Sequence, residues 1–446
     1  MKRRIWWVLG GALLLMVISF LAVLKPLDET PYQQTTYYQQ TMNTLVQAAK
    51  QPLAQPGDSM EAGWGKASLI PPFATPLAGY GMREGALAEG VGDSLWVKAF
   101  FLDNGTTTAA ILAFDLLIVP PLLVEKMAAR QEELPLTAAQ CYLTATHTHA
   151  SLGGFAPGRT GESFAGPYDE KVIDWLFEQG KKALVQAQAR QQQVAVSYVM
   201  SHDADLVYNR LVGEKGTEDP WLRGIRFQPD SGAAAYFLTF GAHATCLPGE
   251  FMQYHGDYPG SLVSNMEARA DIELAAFAAA GVGSMGPEGE DKTDAEQVQW
   301  LGEGLAQKVV ELEREGMTAT YPHQLGIARY PIDLGEPQVR IFKQWRLRPW
   351  VFESLFGKPA FYLSVLQLGD IKMIGLPAEL SGELSVGLSS PMEQVILTSF
   401  NGGYAGYITD DRWYDMESYE TWTMNWFGPG NGAYFREMIQ GAKRLK

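Results

Sequence analysis

Residues 141–154 read Cys141-Tyr142-Leu143-Thr144-Ala145-Thr146-His147-Thr148-His149-Ala150-Ser151-Leu152-Gly153-Gly154. The first five form an apolar run short enough for a buried strand. His147 and His149 leave that strand two residues apart, so both imidazoles can face one side. The glycines behind them let the backbone turn closely past whatever the histidines hold. The chain has six histidines in 446 residues, and two of them stand here. Imidazole is the commonest metal ligand and the commonest general acid or base near neutral pH. A pair of core histidines satisfied by backbone carbonyls fits the same stretch equally well.

Outward from this stretch, strands and helices alternate. Trp96 to Leu102 and Ala109 to Phe114 read as paired strands around the turn Asp103-Asn104-Gly105. Leu117 to Arg130 reads as a helix, as do Asp169 to Ala189 and Ala295 to Arg314. Strands are expected at Val194 to Met200, Ala234 to Phe240, Leu274 to Ala280, Ile371 to Leu376 and Val395 to Phe400. Several deliver a polar residue at their ends: His243, Ser284, Glu379 and Asn401. The pattern predicts an α/β fold, with mixed β-sheets at the centre flanked by helices.

One N-terminal transmembrane helix precedes it. Ile5 to Leu24 is a run of twenty residues without a charge, bounded by Lys2-Arg3-Arg4 and Lys25. That length spans a bilayer at helical rise. No small-x-small cleavage site follows, so residues 1–25 are expected to be a signal anchor, with a cleaved signal peptide the alternative. The positive flank places the remainder on the extracytoplasmic side. Residues 26–60, polar and rich in Gln, Thr and Tyr, are expected to be a stalk with a short helix over Tyr37 to Lys50. The catalytic domain is expected over 61–446.

Composition narrows the function. Hydrophobic residues make up 46% of the chain, which excludes wholesale disorder. The net charge of −15, with no concentrated basic face, argues against a nucleic-acid partner. The two cysteines, Cys141 and Cys246, are expected to be buried thiols, although a bridge between them stays open.

Several blocks in one order resemble the neutral (non-lysosomal) ceramidases over roughly 63–440. They are Ala78-Gly79-Tyr80-Gly81, Thr146-His147-Thr148-His149 with Gly153-Gly154-Phe155, Tyr208-Asn209-Arg210, His243-Ala244-Thr245 and Gly256-Asp257-Tyr258-Pro259-Gly260. Pro377-Ala378-Glu379, Tyr404-Ala405-Gly406-Tyr407-Ile408-Thr409, Tyr419-Glu420 and Phe427-Gly428-Pro429 complete the set. The resemblance implies one zinc ion per chain held by His147, His243, Glu379 and Tyr407. It implies substrate contacts from His149, Arg210 and Tyr419, with Asp257 as a supporting group or a turn former. It also implies hydrolysis of ceramide, or of another N-acyl lipid, to an amine and a fatty acid by zinc-activated water.

Two departures stand out. The family's Gly-Asp loop reads Gly281-Val282-Gly283-Ser284-Met285-Gly286-Pro287 here, without the aspartate and with Ser284 displaced relative to the proline. Ser284 is kept as a candidate catalytic residue. The family's C-terminal immunoglobulin-like domain is expected to be absent after Phe427-Gly428-Pro429. An aromatic and basic cluster over Lys343 to Lys358 suits a membrane interface or a packed loop. Two other functions stay open: a zinc hydrolase of another amide or ester, and a non-catalytic binding domain on a membrane anchor. His255 is expected to be exposed, and His202 and His323 are assigned to nothing.

Overall fold

The computed structural model describes residues 2–358, 360–388, 390 and 393–446, with side chains from residue 5 onward. The side chains of Lys2, Arg3 and Arg4, on which the orientation expectation rests, lie outside the described residues.

Two sheets stack face to face with helices on both outer sides. The larger runs in the order Ile272–Ala279, Ala234–Phe240, Trp221–Pro229, Gln192–His202, Glu61–Ser68, Trp96–Asp103, Thr108–Phe114, Cys141–Ala145, with Ala319–Thr320 paired beside Gln192–His202. The smaller runs Gln55–Pro56, Gln324–Ile332, Phe361–Leu368, Ile371–Gly375, Val395–Thr398. Alternate residues of both sheets meet in one core: Trp64, Phe100, Ile111, Phe227 and Phe237 face Leu325, Leu366, Met373 and Ile396. Each such side chain contributes roughly 1.5–3 kcal/mol on burial, so this seam dominates cohesion of the two layers.

Helices cover the outer faces because their apolar residues recur every three or four positions. Glu170–Gln188 buries Val172, Ile173, Leu176, Phe177, Ala183, Leu184 and Ala187, and its N-cap Asp169 accepts from the Lys171 amide. Asp294–Glu315 starts at a reciprocal capping box between Thr293 and Glu296. The expected helix over 117–130 is shorter, Pro121–Ala129. Pro121 holds Pro120 extended at ψ 135° and sits at a position needing no amide hydrogen, so the helix begins there. The preceding residues 117–120 are left as a loop, whose carbonyls serve the site described below.

The expected stalk over 26–60 is packed against the body instead. The helix Thr36–Ala48 forms as read, but Tyr32 and Leu45 enter the core shared with the C-terminal helix Asn431–Lys443. Polar composition suggested exposure; a few well-spaced apolar residues were enough to dock it. Helix Ile5–Val23 has mean hydropathy 2.3 and none of it is buried, so it is long and apolar enough to cross a membrane. Cys141 and Cys246 are buried free thiols in separate cores.

Three parallel pairs fix where chemistry can be placed: Ala234–Phe240 with Ile272–Ala279, Thr108–Phe114 with Cys141–Ala145, and Ile371–Gly375 with Val395–Thr398. The C-terminal ends of the two sheets are stitched together. Tyr142 and Thr398 share a 2.6 Å hydroxyl bond, Asn401 Nδ2 donates to Leu143 O at 2.6 Å, and the Ser399 amide donates to Ala279 O at 2.9 Å.

Candidate metal centre

The loops leaving these strand ends converge. His147 follows Cys141–Ala145, His243 follows Ala234–Phe240, and Glu379 follows Ile371–Gly375. All three side chains are buried. His147 Nδ1 lies 2.7 Å from Leu117 O, and His243 Nδ1 lies 3.0 Å from Val282 O. A carbonyl only accepts, so both Nδ1 atoms carry the proton and both Nε2 atoms present bare lone pairs. Those two Nε2 atoms face each other at 3.0 Å. Glu379 Oε1 lies 3.5 Å from one and 3.2 Å from the other and accepts no hydrogen bond. Three buried lone-pair atoms aimed at one point repel unless a cation lies among them.

His149 joins the group from the side. Its Nε2 lies 3.3 Å from His147 Nε2, and the ligating atoms of His147, His149 and His243 lie within 4.8 Å of one another. Burial, reinforced by the neighbouring His147 and by the Arg210 charge, holds the His149 pKa well below the ordinary histidine range. Burial and then Arg210 do the same for His243. Both are therefore neutral near pH 7, the form that binds a metal.

The carboxylate is held from its other side. Tyr404 OH donates to Glu379 Oε2 at 2.9 Å. Glu379 and Tyr407 are direct partners in a short parallel bridge, so their side chains leave adjacent strands on the same face. Burial first, then the nearby Glu379 charge, pushes the Tyr407 phenol well above its usual range. Arg210 Nη2 donates to Tyr407 OH at 3.2 Å, and its Nε pairs with Glu420 Oε1 at 3.4 Å. Burial works against the guanidinium charge, but Tyr407, Glu379 and Glu420 outweigh it and hold its pKa above the ordinary value. Tyr419 stands at the rim, exposed, with its ring edge-on to Tyr407 at 5.7 Å.

The metal-ligand candidates thus gather with His149, Arg210 and Tyr419, while Ser284 and Asp257 make their side-chain bonds elsewhere. The Ser284 hydroxyl is fully buried and bonded to Ser381 Oγ at 2.6 Å. Its main contact with the group is through its backbone, where Ser284 O accepts from the Arg210 amide at 2.9 Å. Asp257 accepts from the Cys246, Leu247 and Tyr258 amides, fixing the loop that follows His243. His202 and His323 are exposed; His255, expected to be exposed, is half-buried because its Nδ1 turns inward to accept from the Asp257 amide.

Several supporting residues were not singled out from sequence. Phe400 stacks on His147, Tyr404 and Glu420 hold Glu379 and Arg210, and the buried Arg83 donates to His149 O and Ala78 O. Gly79, at φ +116°, passes so close to His149 that a Cβ there would lie 2.7 Å from the His149 Cβ. Gly79, Tyr404 and Glu420 belong to blocks quoted above, where their type was visible but their partners were not.

Beside Tyr404 opens an apolar cleft of about 260 Å³, lined among others by Leu122, Phe155, Phe164, Phe352, Phe356 and Trp426. One residue, Tyr404, thus borders both the cleft and the carboxylate.

No family model matches this chain, and no curated protein does. Solved structures do. A ceramidase complexed with C2 superimposes with a TM-score of 0.75 at 18% identity, covering 87% of this chain and 75% of that one. The neutral ceramidase from Pseudomonas aeruginosa gives 0.73 at 18% identity, covering 87% and 74%. The chain therefore has the neutral ceramidase fold, as the resemblance implied.

Proposed function

We propose that this chain is a zinc-dependent amidohydrolase that cleaves the N-acyl amide of a lipid, ceramide first among them. The observation that carries the proposal is the convergence of two bare imidazole nitrogens and one orphaned carboxylate oxygen in a buried site. Two nitrogens and a carboxylate suit zinc, whereas magnesium and calcium take oxygen sets. His147, His243 and Glu379 would hold the ion, with Tyr407 as the fourth donor. A zinc ion so held supplies a Lewis acid and water of near-neutral pKa.

The chain's own groups supply the rest. His149, kept neutral by burial, would carry a proton between the attacking water and the leaving amine. Arg210, kept charged by its acidic neighbours, would stabilise the oxyanion of the amide. Tyr419, exposed at the rim, would hold a substrate hydroxyl. The apolar cleft beside Tyr404 suits an acyl or alkyl chain. Ser284 enters the proposal only as the residue whose carbonyl holds the Arg210 backbone. In the same reading helix Ile5–Val23 anchors the protein in a membrane, with the remainder on the extracytoplasmic side.

A second reading concerns His149 alone. Its place within the nitrogen group also suits a third nitrogen ligand, which would leave proton transfer to Tyr419. The experiment is metal analysis of the purified full chain together with hydrolysis of a fluorogenic N-acyl sphingosine. One zinc per chain with turnover supports the proposal. Zinc without turnover moves the substrate to another amide or an ester, and a chain that takes up no metal overturns the site.

A further inference from the structure

The aromatic and basic segment 340–356 wraps the end of the N-terminal helix. The strand Leu24–Pro26 continues directly from that helix and pairs with Trp345–Leu347, which pairs in turn with Arg340–Phe342. The last carbonyls of the helix are taken up by this segment. Arg348 Nε donates to Leu21 O at 2.7 Å, Trp350 Nε1 to Ala22 O at 3.1 Å, and the Arg348 amide to Val23 O at 2.9 Å. Phe20 packs edge-on against Trp345 at 4.7 Å and stacks with Phe342 at 6.4 Å. Lys25 and Arg346 share Glu336, each at 2.8 Å. No free linker separates the candidate membrane span from the domain.

This segment also carries unsatisfied apolar surface. Ile341, Phe342 and Trp350 are 43%, 54% and 55% exposed. They lie beside Lys343 and Arg348, a mixture of aromatic and cationic side chains that favours the headgroup layer. The following helix, Pro349–Phe356, contributes Phe352, Leu355 and Phe356 to the apolar cleft beside Tyr404.

We infer that the hairpin Arg340–Leu347 and the helix Pro349–Phe356 form a second membrane contact, seated in the headgroup layer of the bilayer that the N-terminal helix crosses. The span fixes the level: Ala22 and Val23 end the helix, and the Trp350 side chain and Arg348 backbone amide bonded to their carbonyls must share that depth. The domain is then held in one orientation, with the helix that walls the cleft against the lipid surface. A lipid substrate would pass from the bilayer to the cleft without crossing water. That last consequence rests on the lipid amidohydrolase reading; the docking itself does not.

The test uses the full chain in vesicles of phosphatidylcholine and phosphatidylglycerol. A fluorophore is placed at Phe342→Cys, Trp350→Cys, Leu15→Cys and, as a control outside the docking segment, at the exposed Val185→Cys of helix Glu170–Gln188; the native thiols are buried and stay unlabelled. Brominated lipid is expected to quench labels at 342, 350 and 15 and to spare the label at 185. Labels at 342 and 350 that emit as in water and resist quenching overturn the docking, and the label at 15 then shows whether the span falls with it. In a second arm the double variant Phe342→Ser/Trp350→Ser should lose hydrolysis of a vesicle-embedded substrate and keep that of a soluble short-chain amide. Equal loss on both substrates overturns the delivery route. Absence of either activity in the parent chain counts against the hydrolase reading, and the quenching arm still decides the docking.

Discussion

The imidazole of His147 lies flat on the ring of Phe400, with centroids 4.0 Å apart and planes 9° apart. Both residues hold a left-handed backbone, at φ +65° and +64°, which is costly for side chains of this size. The two come from different sheets, so the stack is where the seam between the sheets becomes the wall of the site. Replacing the ring surface should loosen the ligand before it unfolds the chain. Phe400→Leu is expected to lower metal affinity by roughly 10–100-fold, the usual cost of losing a group that orients a ligand. Competition with a chromophoric chelator would measure it.

Tyr404 offers a cleaner version of the same test. Tyr404→Phe keeps the ring against the cleft but removes the donor to Glu379 Oε2. A buried carboxylate oxygen left without its donor costs about 1–3 kcal/mol. Metal affinity and the unfolding midpoint of the metal-free chain should both fall, read by the same competition and by thermal unfolding.

The histidines should separate by metal content. His147→Ala and His243→Ala are expected to lose metal and activity together. His149→Ala is expected to keep metal and lose about 10²–10⁴-fold in rate, the range for a general acid or base. Loss of metal in His149→Ala would instead make it a ligand. Tyr419→Phe should keep metal and lose rate.

Gly79→Ala probes placement. The added methyl would meet His149 Cα, Cβ and Cγ at 2.7–2.8 Å in a conformation that already disfavours a side chain. The variant should retain metal, lose rate and unfold earlier, as metal analysis, turnover and calorimetry of one preparation would register.

Acid should destabilise the metal-free chain. Burial depresses the pKa of both His149 and His243, so the folded chain keeps them neutral while the unfolded chain protonates them as pH falls through about 6.5. Their contribution is present in full above that pH and shrinks below it, at about 1.4 kcal/mol per pH unit for each histidine still neutral when folded. Urea midpoints in chelator at pH 7.5, 6.5 and 5.5 should fall in that order, and metal should flatten the trend.

Local periodicity carried most of the elements. The apolar run before His147, the helix over 170–188 and the strands around His243 and Glu379 are legible because each buries a face whose spacing is written in the chain. Where reading by composition went astray, a tertiary partner was responsible. The stretch 26–60 looks like a polar stalk until Tyr32 and Leu45 find the C-terminal helix. Ser284 looks like a site residue until its hydroxyl turns to Ser381, 97 residues away.

The sequence by itself determined which residue types arrive at strand ends: imidazoles, a carboxylate, a guanidinium and phenols, with glycines where the backbone must pass closely. Only the tertiary structure decided that two Nε2 lone pairs and one carboxylate oxygen point at the same spot. Tautomer and aim are set by Leu117 O and Val282 O, carbonyls without any side-chain signature, and by Tyr404, which reaches Glu379 across a loop. It likewise joined the aromatic segment 340–356 to the N-terminal helix, more than 300 residues away in sequence. Side-chain type is a local property of the chain; convergence of lone pairs, and of a membrane span with an aromatic lip, is a property of how distant strands pair and stack.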